Sequence, residues 1–152
     1  MSAAVERRQG CYVNAFLREM NSLAQKVGMA KSNFANVHGL SNSQNISCAE
    51  DLAKLCAYAM RNRKFRKVVQ TQKFHYSCLI TQPASSEDEK NGGESISEKV
   101  SGVWENTNKM LGEGWSGIKT GITPNAGPCL AASLFRCFSG KEYEFLVILL
   151  DS

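Results

Sequence analysis

Trp115-Ser116-Gly117-Ile118-Lys119-Thr120-Gly121-Ile122-Thr123 is the stretch that decides how the rest of this chain is read. Residues 118–123 are predicted to form a strand. Residues 129–135 and 144–150 give two more strands, and Ser139-Gly140 lies in the turn that would join these two as an antiparallel hairpin. On its own, Lys119-Thr120-Gly121 reads equally well as an ordinary strand ending in a turn or as the wall of a cleft, because a triplet recurs by chance.

Upstream of the sheet the pattern is helical. Phe16, Leu17, Met20, Leu23, Ala24 and Val27 share one face of a helix predicted over residues 13–27. Gly28 supplies its stop. A Ser- and Asn-rich loop over 30–46 follows and contains Val37-His38-Gly39-Leu40. A second helix is predicted over 47–60. Ser47-Cys48-Ala49-Glu50 has the form of a capping box, and Leu52, Leu55, Cys56 and Ala59 make its buried stripe. Arg61, Arg63, Lys64, Arg66 and Lys67 read as a solvated turn beside the negative end of that helix. Residues 68–76 are predicted as a strand. Residues 83–102 are too poor in apolar side chains to offset their ordering entropy, so a disordered insert is expected. Order returns at Trp104. Helices followed by an antiparallel sheet make the fold class α+β, in one domain over residues 1–152.

Composition narrows the functions. The 152 residues are 43% hydrophobic and 21% charged, ordinary values for a globular chain. The net charge of +4 makes no case for nucleic acid, and no aromatic residues interleave with the basic run at 61–67. No run is apolar for long enough to span a membrane. The first ten residues lack the apolar core of a signal peptide, so the compartment stays unknown: inside the cell, or exported by a signal outside this sequence. The six cysteines do not require disulfides in a chain of this length. There is no Cys-x-x-Cys pair and only His38 and His75 as histidines, so neither a metal nor a cofactor is expected. Cys56 and Cys129 read as small core side chains. Asn45-Ile46-Ser47 is a glycosylation sequon that matters only in a secreted protein.

Several separate stretches then fall into one order: 16–21, Val37-His38-Gly39-Leu40, 47–52, Trp104-Glu105-Asn106-Thr107-Asn108-Lys109-Met110-Leu111, 117–123, and Ala126-Gly127 with Cys129-Leu130-Ala131-Ala132-Ser133. Together they resemble the serine-type D-alanyl-D-alanine carboxypeptidases, the low-molecular-mass penicillin-binding proteins of the β-lactamase/transpeptidase-like fold. The resemblance leaves out the first dozen residues and the 83–102 insert. It implies that Lys119 places a positive charge near the nucleophile and the terminal carboxylate of a D-alanyl peptide or β-lactam. It implies that the Thr120 hydroxyl bonds that carboxylate, that Gly121 lets a peptide approach the strand edge, and that the backbone N–H of Ile122 serves an oxyanion hole. His38 would sit in a loop near the site. A lone loop histidine is more often structural than catalytic.

Two family signatures are missing from usable places. The Ser-x-x-Lys match is Ser116-Gly117-Ile118-Lys119, on a strand rather than a helix, and the Ser-x-Asn match is Ser43-Gln44-Asn45, in the wrong order. No residue is therefore assigned as nucleophile or base. The family's last helix is also absent after residue 152. Residues 145–150, apolar throughout, read as a strand buried on both faces. Burial is worth roughly 25 cal/mol per Å², so a wet sheet face would leave the chain marginal unless a protein partner covers it. Two expectations follow. The chain is the C-terminal half of such an enzyme, a partial domain inactive alone. Otherwise it is a pseudoenzyme used as a structural or interaction subunit.

Overall fold

The computed structural model describes residues 3–82 and 96–151, with side chains described over 12–80 and 98–151. Helix α1 runs Ala3–Val27, α2 Ala49–Ala59 and α3 Arg63–Gln70. Strands β1 (Lys73–Gln82) and β2 (Ile96–Glu105) follow, then a short 3-10 helix at Lys109–Glu113. Strands β3 (Trp115–Thr123), β4 (Gly127–Phe138) and β5 (Lys141–Leu149) complete the chain. Two compact units result: Thr71–Thr107 is one, and Met1–Gln70 with Asn108–Ser152 is the other.

In the larger unit β3, β4 and β5 form an antiparallel sheet in that order. The hairpin between β4 and β5 turns at Ser139 and Gly140, both with positive φ (50° and 77°), the pairing that suits the right-handed twist of the flanking strands. Register sets Lys119 opposite Ala131, Thr120 opposite Leu130 and Gly121 opposite Cys129. Helix α2 packs on β5 and β4, and α3 on β3. Arg66 of α3 is the clasp. Its guanidinium donates to the Met60 carbonyl at the end of α2 (3.1 and 2.9 Å), reaches Glu144 of β5 at 3.4 Å and lies 5.4 Å from the Phe135 ring centre. Phe135 and Glu144 are register partners, so one arginine joins two helices and two strands.

Several predicted elements differ. Helix α1 starts at Ala3, not residue 13, and Phe16 and Leu23 of its predicted buried face are exposed while Ala24 is buried. The capping box at α2 does not form: the N-cap is Cys48, with no side-chain bond. The Ser47 hydroxyl bonds Ser32 at 2.8 Å, and Glu50 pairs with Lys31 and Lys54. Tertiary partners outcompeted the local cap. The basic run is a helix, α3, and the strand predicted over 68–76 begins only at Lys73. Of the stretch predicted to be disordered, 83–95 lies outside the described residues, while 96–102 pairs with β1. Backbone pairing there does not depend on an apolar composition.

The last strand is not buried on both faces. Phe145 and Leu149 are exposed, and Phe145, Tyr143 and Phe138 pack their rings on one another, 6.0–6.4 Å apart, on the sheet face turned away from Glu144 and Arg66. Cys56 is buried as expected. Cys129 is half-buried, its thiol donating to the Ala126 carbonyl at 3.3 Å.

Gly117 shows how closely β3 meets α3. Its φ is +94°, and a Cβ there would lie 2.8 Å from the Val69 carbonyl oxygen. Gly117→Ala is expected to cost about 1–3 kcal/mol in urea unfolding, since both the backbone conformation and the contact are unfavourable. An unchanged midpoint would show that the two elements do not approach this closely.

Candidate functional site

The site is built on the free edge of β3. Among the described residues β3 pairs with β4 on one side and with no strand on the other. An open edge offers backbone donors and acceptors to an extended ligand. Lys119 is exposed there, and its ammonium turns back to the Thr120 carbonyl of its own strand. No carboxylate among the described residues pairs with it. Its charge is therefore available to an anion. Gly121 leaves open space beside the edge: the nearest atom to a Cβ there would be Lys119 Nζ at 3.7 Å. Ile122 follows with its side chain 79% exposed, opposite Pro128, near the end of the ladder.

Opposite this strand end stands the His38-Gly39-Leu40 loop. A groove of about 660 Å³ runs between Gly39–Ser43 on one wall and Gly121, Thr123 and the turn at 125–127 on the other. The loop's shape comes from asparagines. Asn21 of α1 holds Phe34 through both its amide nitrogen and its carbonyl oxygen, each at 2.8 Å. Asn36 accepts from the Gly39 N–H at 2.9 Å and donates to the Leu40 carbonyl at 3.0 Å. Asn45 accepts from the Ala35 N–H at 2.7 Å and donates to Leu40. Gly39 has φ +73°, which the turn requires. His38 is exposed, and its Nδ1 accepts the Leu40 N–H at 3.1 Å, a bond internal to the loop. The structure therefore brings the loop to the Lys-Thr-Gly end but leaves His38 itself off the groove wall.

A second cavity, about 570 Å³, lies between α2, α3 and the sheet, lined by Leu52, Leu55, Cys56, Val69 and Ile148 among others. It reaches Lys119–Gly121 from the helix side. Burial pushes the Cys56 thiol up, so it stays protonated and inert beside this space.

Sequence reasoning missed Asp51, which anchors the loop. It is 1% exposed in the first turn of α2. One carboxylate oxygen accepts the Lys31 N–H at 2.7 Å and the Ser32 hydroxyl at 2.8 Å; the other meets Lys54 at 3.3 Å. The Lys54 ammonium also donates to the Gly28 carbonyl at 3.1 Å, so the chain leaving α1 is stitched to α2. An acidic residue in a helix's first turn was the available signal, but that position is usually solvated. The other motifs prove structural. Asn108 is buried and caps the 3-10 helix by accepting the Met110 N–H at 3.1 Å. Asn106 closes the base of the β1–β2 hairpin on Thr71 and Gln72. Ser116 and Lys119 both lie on β3, with a β-bulge between Trp115 and Ile118 interrupting the alternation. Ser43-Gln44-Asn45 belongs to the loop's internal hydrogen bonds. Among the described residues no cluster of three or more His, Cys, Asp or Glu could hold a metal, and no helix is long and apolar enough to cross a membrane.

Comparison with known proteins identifies the family and the fold. The family model of D-alanyl-D-alanine carboxypeptidase matches residues 3–136, and the chain belongs to that family. The D-alanyl-D-alanine carboxypeptidase of Streptomyces sp. (strain K15) is 31% identical over 126 residues, covering 82% of this chain and 39% of that protein. The crystal structure of the Streptomyces K15 DD-transpeptidase superposes with a TM-score of 0.68 at 30% identity, covering 90% of this chain and 47% of that one. Penicillin-binding protein D2 from Listeria monocytogenes, in its cefotaxime-bound form, gives 0.60 at 26% identity, with the same coverage. The chain thus spans between about two fifths and one half of the length of the relatives it matches.

These findings correct the narrower expectations. The family match extends over most of this chain: it begins at residue 3, within the first dozen residues that the sequence reading set aside, and its span takes in the 83–102 stretch. With 82–90% of the chain covered, the descriptions as a C-terminal half, a partial domain, a fragment or a pseudoenzyme are withdrawn. The inference of a nucleophile-lacking chain, inactive alone, or of a non-catalytic subunit is withdrawn with them.

Asp51 makes the anchoring of the loop sensitive to pH. Burial pushes its carboxyl up, but the Ser32 hydroxyl, the Lys31 N–H and Lys54 outweigh it, and the group rests below its ordinary value. A carboxyl depressed on folding adds stability above its unfolded pKa of about 3.9 and loses it as pH falls through the folded value. The urea midpoint is expected to drop as pH falls below about 5 and on through the depressed folded value, and Asp51→Asn should flatten part of that drop. Identical profiles for the two proteins would remove Asp51 from the network.

Proposed function

We propose that this chain supplies the strand wall of a serine-type acyl-transfer site acting on D-alanyl-D-alanine peptides. The observation that carries the reading is the cation of Lys119, which pairs with no carboxylate among the described residues, on a strand edge that no described strand covers, beside Gly121, which lines the groove. The peptide lies along β3. Lys119 attracts its terminal carboxylate, and the Thr120 hydroxyl donates to it, a charge-assisted bond worth about twice a neutral one. Gly121 allows the ligand backbone to approach the edge. The Ile122 N–H is one donor to the oxygen that becomes negative when the scissile carbonyl is attacked. A β-lactam, which carries a carboxylate beside a strained amide, competes for the same edge.

The His38-Gly39-Leu40 loop forms the far wall, with His38 acting through the loop's shape. The substrate is an extracytoplasmic polymer, so the compartment is an exported one. The aromatic sheet face at Phe138, Tyr143 and Phe145 is covered by polypeptide in the working protein.

Binding separates this reading from an inert strand. Titration of the chain with an N-acylated D-alanyl-D-alanine dipeptide, followed by calorimetry or NMR, is expected to show saturable binding. Lys119→Ala should weaken it by about tenfold or more, the size of one charged hydrogen bond. Thr120→Val should weaken it less, and an N-acylated L-alanyl-L-alanine dipeptide should bind poorly. Equal affinity for the parent chain and Lys119→Ala would show that the carboxylate does not bind here.

A further inference from the structure

The β1–β2 hairpin carries a feature that the acyl-transfer reading does not use. Its ten residue pairs alternate between two faces. On one face Phe74 pairs with Trp104 and Tyr76 with Gly102, then Cys78 with Val100. The ring centres of Phe74 and Trp104 are 6.4 Å apart, and those of Tyr76 and Trp104 5.1 Å. These rings are not core: Phe74 is 55% and Trp104 66% exposed. The other face holds the charge, with Lys73 and Glu105 in a 2.7 Å ion pair and Lys99 opposite Leu79. The first charge on the aromatic face is Glu98, at the far end beside Ile80.

Gly102 leaves room on this face for a ring. A Cβ at that position would lie 2.7 Å from the Tyr76 hydroxyl oxygen and 2.9 Å from the ring carbon bearing it. The Tyr76 ring therefore lies across the neighbouring strand where a side chain would stand in any other residue. The outcome is three adjoining rings with a phenol hydroxyl among them and no cation within the aromatic rows.

We propose that this face is a stacking platform for a neutral glycan, a β-linked amino-sugar polymer. Pyranose rings present flat C–H faces to aromatic rings and hydroxyls at their rims, which suits tilted rings with a phenol among them. The lack of a cation on this face among the described residues and the presence of Glu98 disfavour nucleic acid, which needs phosphate partners. The choice of glycan among neutral ring ligands rests on the reading that this protein acts on D-alanyl peptides, which are borne on such polymers. The platform shares no residue with the Lys119 edge and needs no peptide on the sugar.

The test uses the whole chain and a peptide-free probe, soluble β-linked N-acetylglucosamine oligomers. The Trp104 indole N–H resonance is expected to shift saturably as the oligomer is added. Trp104→Ala should lower affinity by about tenfold, the scale of one aromatic contact. Gly102→Ala, which displaces the Tyr76 ring without straining the backbone, should weaken binding severalfold at an unchanged melting temperature. Lys99→Ala on the opposite face and Lys119→Ala on β3 should leave glycan binding unchanged, so failure of the D-alanyl peptide reading would not be mistaken for failure of this one. No saturable shift, or a shift indifferent to Gly102→Ala, overturns the platform. So does concentration-dependent broadening of the same resonances without sugar, which would assign the face to a second copy, or their perturbation by anionic lipid vesicles alone.

Discussion

A single buried carboxylate anchors the loop that forms one wall of the groove. Asp51 has almost no contact with water, and a charge in that position persists only when its lone pairs are filled. Lys31 and Ser32, adjacent after α1, and Lys54, one turn further along α2, fill them. Because these partners lie just after α1 and within α2, the bonds fix where the loop leaves the helices. The asparagine bonds of that loop then carry its tip to the groove beside Gly121. Arg66 does the equivalent task between the helices and the sheet. Two charged side chains at half-buried or buried positions thus do what a larger apolar core would do elsewhere.

The sheet contributes an edge and a face with opposite properties. The edge of β3 is polar, open and beside a cation, which are the requirements of a ligand that binds as an extra strand. The outer face is aromatic, with Phe138, Tyr143 and Phe145 sheltering one another. The ring cluster follows from alternation along β4 and β5.

Much of the site could be read from residue order. Lys119-Thr120-Gly121 on a strand, the hairpin turn at Ser139-Gly140, and a loop around His38-Gly39-Leu40 are local features whose signals are short and strong. The failures share one cause. Ser47 and Glu50 have the spacing of a cap, yet Ser32 and Lys31 claim them from the segment after α1, with Lys54 joining Glu50 along α2. Arg61–Lys67 look like a solvated turn, yet Arg66 finds the Met60 carbonyl, Glu144 and the Phe135 ring, and a helix forms around that clasp. Residues 96–102 look too polar to fold, yet they satisfy their backbone against β1. Each miss weighed a local propensity without the distant partner that overrode it.

The amino-acid order by itself determined the succession of helices and antiparallel strands and the cation, hydroxyl and glycine along one strand, because periodicity and turn chemistry act over a few residues. Only the tertiary structure decided that β3 is an edge, that the Gly39 loop faces its end, and that Asp51 rather than His38 organises that loop. Those outcomes depend on hydrogen bonds and contacts between residues far apart in the chain, which no local pattern encodes.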